Sequence, residues 1–258
     1  MNNTLVNGLR IIELLAHKHE PMSLSQIARA LDLSKSNVHR LLKELSASAY
    51  VIRDQDSGAY TASIRLWELG SAVLSKLDLR RHAQHLMEAL SQATGESVHL
   101  SVLDQNEVVY VHKVESQNPV RAYSQIGGRA PVYCVATGKA MLAFQSRKSI
   151  LEMALHLTAH TANTITDAAR LIEHLEQVRS QGYAVNAGEW REGVYGIGTP
   201  IFDSSGQAIA AIGLSGPAER FGHDQISRFA ELLRQAAYDI MIKLGCYPPQ
   251  NFFSRFGR

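Results

Sequence analysis

From Ser23 to Leu45 the sequence carries two short amphipathic patterns separated by only two residues, Asp32-Leu33. Leu24, Ile27, Ala28 and Leu31 repeat at helical spacing in the first, and Val38, Leu41, Leu42 and Leu45 fall at i, i+3, i+4 and i+7 in the second. Ser23 and Ser34 stand where N-caps belong, each followed by its apolar run. Helices this short and this close bury their stripes against one another, so the pattern predicts a helix-turn-helix. The second helix then presents Lys35, Ser36, Asn37, His39, Arg40 and Lys43 on or near its outer face.

That face makes double-stranded DNA the first partner to consider. A helix so presented fits the major groove, with its N-terminal residues at base edges. Arg40 and Lys43 have the reach for phosphates, while Ser36, Asn37 and His39 are better placed for bases. The working assignment gives Ser36, Asn37 and Arg40 to base edges and Lys35, Lys43 and Arg53 to phosphates, with Ser34 at the cap. A β-hairpin signal follows, Tyr50–Arg53 and Ala59–Thr61 around a Gly58-containing turn, which reads as a wing that brings Arg53 beside the groove. Upstream, Leu5, Leu9, Ile12 and Leu15, with Ile11 beside them, predict a first helix. A plain three-helix domain also has apolar stripes, but it does not require turn, cap, polar face and wing in this order.

Charge supports the placement only locally. The 258 residues carry a net charge of +2, and residues 1–62 hold seven Lys/Arg against six Asp/Glu. Contact with DNA therefore comes from where the cations sit, not from a basic field. An apolar fraction of 45% supports buried cores, and the length suggests two domains. With only Cys134 and Cys246, no disulfide framework is expected, and with no signal-peptide pattern or long apolar run the expected location is cytoplasmic.

After the wing, Ile64, Leu66, Trp67, Leu69, Val73, Leu74 and Leu77 predict a linking helix, too apolar for a solvated linker, packed on the first domain or on a second subunit. Beyond it the pattern alternates. A helix to about Thr94 leads into strands at Ser97–Leu103 and Glu107–Val114, and a third strand is expected at Arg121–Ser124. Helices follow from about Thr137 to Phe144, Ser149 to His156 and Asp167 to Gln181. Strands at Tyr183–Ala187, Gly196–Phe202 and Ala208–Ser215 precede a closing helix over about Asp224–Leu244. This order indicates an α+β domain, an α/β mixture with an antiparallel sheet. The boundaries read 1–62, 63–78 and 79–250.

Two stretches of the second domain stand out. Gly127 to Ala140 is a Gly- and Pro-bounded loop feeding a helix, whose free N–H groups near Ala136, Thr137 and Gly138 suit a small anion or merely a close packing contact. Asn186 to Pro200 combines polar residues, Trp190 and four glycines before a strand. Gly193, Gly196 and Gly198 have the wrong order for a dinucleotide fingerprint and precede a strand, and Gly213–Gly216 lacks the spacing of a nucleophile elbow. His156 and His160 lie four apart without a third ligand, so a metal is not expected, nor at His82 and His85. Glu189, His99 and Cys134 show no nucleophile–base pairing, and no cofactor is expected.

The ordered set G-x-x-x-P-x-x-x-x-A-x-G-K-A-x-L-A from Gly127 to Ala143, then Gln181 to Ala184, Glu192-Gly193-Val194, Pro200 to Asp203 and Ala211 to Pro217, resembles the IclR family of transcriptional regulators over almost the whole chain. Glu68 to Gly70, Asp104 to Lys113, Arg121 to Arg129 and Leu244 to Pro249 look closest to its 2-keto-3-deoxygluconate regulon repressor subgroup, whose members sense sugar acids. The resemblance implies an N-terminal winged helix-turn-helix and a GAF-like effector domain. It places the effector pocket at Ala130, Ala136, Thr137 and Gly138, and at Asn186, Gly196, Gly213 and Ser215. It also implies homodimers, often dimers of dimers, on palindromic operators. The family commonly has an acidic residue at Asn186, a cysteine at Gly196 and a serine at Gly213. Their replacement here suggests a pocket friendlier to an anion and larger, with Trp190 as a flat wall. The resulting expectation is a repressor of a sugar-acid operon, released by a small carboxylate. The alternatives are an activator, a DNA-tethered small-molecule enzyme, or a DNA binder whose second domain only oligomerises.

Overall fold

The computed structural model describes residues 4–18, 20–75, 79–122 and 124–246. The chain divides into two compact units, Met1–Lys76 and Leu77–Arg258. Leu77, Tyr123 and Tyr247 to Pro249, which figured in the sequence reading, lie outside the described residues.

The first unit is α1 (Thr4–Ala16), α2 (Leu24–Leu31), α3 (Lys35–Ala47), the hairpin β1 (Val51–Arg53) and β2 (Tyr60–Ala62), and α4 (Arg65–Ser75). Ser23 caps α2 through a capping box closed by Gln26. The two-residue turn works because Asp32 takes the left-handed conformation, φ 54°, and Leu33 N–H reaches back to Ala28 O at 3.0 Å. Ile11, Leu15, Ile27, Val38, Leu41, Leu42, Val51 and Tyr60 form the core. The stripe expected on α1 is rotated. Its buried side is Asn7, Gly8, Ile11 and Leu15, while Leu5 and Leu9 are 74% and 51% exposed. Ile11 and Leu15 thus share the buried side with Asn7 and Gly8 rather than with Leu5 and Leu9.

The second unit opens with α5 (Leu79–Thr94). Strands β3 (Ser97–Asp104), β4 (Glu107–Val114) and β5 (Arg129–Pro131) follow, then α6 (Ala136–Leu142), α7 (Arg147–Ala154) and α8 (Ala168–Gln181). Strands β6 (Ala184–Ala187), β7 (Val194–Phe202) and β8 (Ala208–Pro217) lead to α9 (His223–Lys243). The six strands form one antiparallel sheet in the order β5-β4-β3-β8-β7-β6. Helices α5 and α9 pack together against it, and α6 packs on it with α8 behind. This is the expected α+β architecture, a mixed α/β fold with an antiparallel sheet. The third strand is not at Arg121–Ser124, whose described residues are outside any strand; it is the short edge strand Arg129–Pro131. Pro131 donates nothing to a ladder, which an edge pairing only with β4 tolerates and which hides a strand from a propensity reading.

Register fixes what the sheet offers α6. Asn186, Gly196 and Ser215 lie side by side across β6, β7 and β8, and the next row is Gly198, Gly213, His99 and Lys113. Alternation turns both rows to one face. A Cβ on Gly198 would stand 2.8 Å from Thr137 N, and one on Gly213 2.7 Å from Thr137 Cγ2. Bare backbone at these positions lets the start of α6 settle onto the sheet.

Candidate functional site

In the first unit Ser34 accepts from Asn37 N–H at 3.3 Å and faces Ser36 Oγ at 3.2 Å, which fixes the first turn of α3. Ser34, Lys35, Ser36, His39, Arg40 and Lys43 are exposed, and Asn37 is half-buried. The Arg40 guanidinium donates to Asn37 Oδ1 at 3.3 Å and to Thr4 Oγ1 on α1 at 3.4 Å, so two of the proposed base-reading side chains are held together. Arg53 is exposed on β1, with its guanidinium 5.8 Å from the Tyr60 ring. Asp54 opposes it in sign one residue on, its carboxyl held below the usual range by Ser57. The result is a polar, mostly cationic ridge beside a wing.

In the second unit, a cavity of about 220 Å³ opens where α6 meets the two register rows. That is small beside the ~300–1,000 Å³ of drug-sized pockets and suits a small metabolite. Ala136, Thr137, Asn186, Trp190, Gly196, Gly213 and Ser215 line it; Ala130 and Gly138 do not. Ala130 is core, and a Cβ on Gly138 would sit 2.2 Å from Val132 O, so that glycine serves a packing contact. No side chain caps Val135 at the start of α6, which leaves the first N–H groups of the helix beside the cavity.

The glycines do less to widen the cavity than the sequence suggests. Thr137 Cγ2 fills the space at Gly213, and a Cβ on Gly196 would press within 2.9 Å of Leu214 O. Asn186 is committed to its own loop: Oδ1 accepts from Glu189 N–H at 2.9 Å and Nδ2 donates to Val194 O at 3.3 Å. Trp190 packs edge-on to His160 at 4.5 Å between ring centres, and His160 Nε2 lies 3.3 Å from Tyr133 Oη. His160 is exposed, so it backs Trp190 from the surface side.

Sequence reasoning missed one side of the cavity: His99, Tyr110, Ser124, Gln125, Arg129 and Arg191. Arg129 is bound to Glu107 at 2.6 Å and to Asp104 at 2.5 Å, while Arg191 brings positive charge to the rim. His99 touches Ser215 at 2.6 Å and Ser124 at 3.2 Å. Its imidazole is pushed down to about 3 by burial and by nearby Lys113. Tyr110, tilted against it at 5.3 Å, is pushed up to about 12 by burial. The signal for His99 was available in the β3–β8 register but not in any motif.

Of the residues weighed for catalysis, Cys134 and Glu189 are spent elsewhere. Cys134 is fully buried and its thiol is pushed up to about 12 by burial and then by Glu189, far from a thiolate. Glu189 is locked to Lys139, with Nζ–O distances of 2.6 and 2.7 Å, and both are buried.

Residues 71–242 match the family model described as bacterial transcriptional regulator IclR C-terminal, and residues 4–55 match the IclR helix-turn-helix domain. The chain belongs to the IclR family. The HTH-type transcriptional regulator KdgR of Escherichia coli (strain K12) is 36% identical over 91% of this chain and 90% of that protein. The crystal structure of the Thermotoga maritima IclR matches with a TM-score of 0.80 at 33% identity, covering 95% of this chain and 100% of that one. An IclR homolog from Microbacterium hydrocarbonoxydans, crystallised with 4-hydroxybenzoate, matches with a TM-score of 0.83 at 28% identity, covering 94% of this chain and 99% of that one. As an IclR-family member the chain is a DNA-binding transcriptional regulator, from a family without enzymatic activity. Its helix-turn-helix binds DNA and its C-terminal domain binds a small-molecule effector. Among the described residues no helix is long and apolar enough to cross a membrane, and no three His, Cys, Asp or Glu side chains are grouped to hold a metal.

Proposed function

We propose that this IclR-family regulator is a homodimeric, cytoplasmic repressor of a sugar-acid catabolic operon, released when a small carboxylate enters the cavity on the α6 face. One observation carries the reading. The cavity combines uncapped helix N–H groups at Ala136 and Thr137, the Arg191 cation, the hydroxyls of Ser124 and Ser215 and the Trp190 wall. N–H dipoles and a cation favour an anion, and hydroxyls favour an oxygen-rich body. The IclR homolog crystallised with 4-hydroxybenzoate supports a carboxylate, and the subgroup resemblance supports a sugar acid.

The dimer rests on apolar surface left uncovered within the first unit. Leu5 and Leu9 on α1, and Ile64 and Trp67 at the start of α4, are exposed, Trp67 by 68%. Such surface on a helix-turn-helix unit suits a second copy and two half-sites one turn of DNA apart. The effector acts by linkage. It shifts the chain away from its DNA-competent arrangement by as much as it binds the other arrangement more tightly.

Thermal unfolding of the full chain with aldonates, uronates, keto-deoxy sugar acids, short 2-keto acids and aromatic acids tests this. A ligand at ~100-fold its dissociation constant adds about 2.7 kcal/mol, on the order of several degrees. One sugar acid is expected to raise the transition and to be recovered unchanged. A flat panel, or stabilisation by aromatic acids alone, overturns the sugar-acid assignment.

A further inference from the structure

We infer that His99 is the specificity-determining residue of the effector cavity: with Ser215 and Ser124 it forms a hydroxyl–imidazole–hydroxyl relay that presents one hydrogen-bond donor and one acceptor, and so selects ligands carrying both an acceptor oxygen and a hydroxyl. The inference rests on the effector reading of the cavity for its ligand class, but not for the relay itself.

The geometry is specific. His99 sits on β3 opposite Gly213, and it is 5% exposed. Nε2 is 2.6 Å from Ser215 Oγ and Nδ1 is 3.2 Å from Ser124 Oγ, and both hydroxyls line the cavity. Lys113, beside His99 in the β4 register, donates to Ser124 O at 2.8 Å and pins the far end. Burial and that ammonium hold the ring neutral at physiological pH.

A neutral imidazole carries a single N–H. With the proton on Nε2, Ser215 accepts from the ring and its own hydrogen turns to the cavity, while Ser124 donates to Nδ1 and offers lone pairs. With the proton on Nδ1 the roles reverse. The two hydroxyls are therefore never both donors or both acceptors through the ring. A 2-hydroxy or keto-deoxy sugar acid satisfies both ends in one of two orientations. An acid without a hydroxyl leaves one end unmet, and an unmet buried polar group is what makes such sites selective.

The ring proton can be located by ¹⁵N-imidazole NMR of the full chain, with His99 assigned by its loss in His99→Gln. Because an orphaned buried N–H is rarer than an orphaned acceptor, the proton is expected to stay on the nitrogen that keeps its hydroxyl. Ser124→Ala then drives His99 toward the Nε2–H form and Ser215→Ala toward the Nδ1–H form, in the ligand-free protein. Tautomer ratios that do not move, or that move together, overturn the relay. Calorimetry with D-gluconate, 2-keto-3-deoxy-D-gluconate and hexanoate tests the selectivity. The wild-type chain is expected to prefer one of the sugar acids over hexanoate by roughly 10-fold or more, and His99→Gln to lose most of that preference. An undiminished preference in His99→Gln overturns the selectivity. Binding of none of the three acids, with opposite tautomer shifts intact, overturns the ligand class while leaving the relay standing.

Discussion

The Lys139–Glu189 pair shows how two residues can stand out in a sequence while their contact does not. Lys139 belongs to the G-K-A motif and Glu189 to the loop that carries Trp190, yet nothing in their spacing of 50 residues announces a contact. Burial pushes the lysine down and the glutamate up, and each partner opposes that on the other. Removing one partner leaves a buried charge unmatched. Lys139→Met or Glu189→Leu alone is expected to destabilise the chain by about 3–5 kcal/mol, and the double substitution to recover most of it. Urea unfolding of the three variants checks this; singles that cost no more than the double would show that the pair is not a unit. Histidines give a second residue-scale prediction. His99 and His174 are pushed down to about 3 and about 4, chiefly by burial, against 6.5 when exposed. Their contribution is complete above pH 6.5 and is lost as the pH falls toward 4, because the unfolded chain takes up protons that the native chain refuses. Each site steepens the loss by up to about 1.4 kcal/mol per pH unit. Urea midpoints between pH 7 and 5 are expected to fall with acidification, and less steeply in His174→Gln. Equal slopes in the two proteins would contradict the burial argument.

Elements were read well where one period and one cap decided them. Ser23, Ser34 and the turn at Asp32 are local chemistry, so α2 and α3 were legible, as were the wing and most strands of the sheet. Elements set by packing were not: the buried side of α1 takes in Asn7 and Gly8 instead of Leu5 and Leu9, and edge strand β5 hides behind Pro131. The same division holds for the cavity. The strand and loop residues Asn186, Trp190, Gly196, Gly213 and Ser215 stand out in sequence, while His99, Ser124 and Tyr110 enter only when the β3–β4 hairpin pairs with β8. For α3, proposed to lie in the major groove, the cations divide by role. Lys43→Ala is expected to weaken binding to every duplex and to reduce the salt dependence by about one phosphate. Arg40→Ala is expected to cost about 1–3 kcal/mol of discrimination between sequences, because its guanidinium is braced by Asn37 and Thr4. Salt titrations of duplex binding separate the two; unchanged binding in both would remove this helix from the groove.

On the scale of the whole molecule, two units with separate cores divide the work: one presents a cationic recognition face, the other a small cavity lined by apolar walls and a few polar groups. Fold and family were legible because local signals of both units recur in order along the chain. The ligand was not, because the groups that would recognise it come from two strands, two loops and the start of α6. An effector that releases the chain from DNA must link occupancy of the cavity to DNA binding, and linkage is reciprocal. The direct measurement is the affinity of the full chain for a duplex enriched from random sequence, with and without the sugar acid that stabilises it. The affinity is expected to fall by a fixed factor at saturating acid, and the acid to bind more weakly to the DNA complex by that same factor. An acid that binds in the cavity and leaves the DNA affinity unchanged would contradict the account.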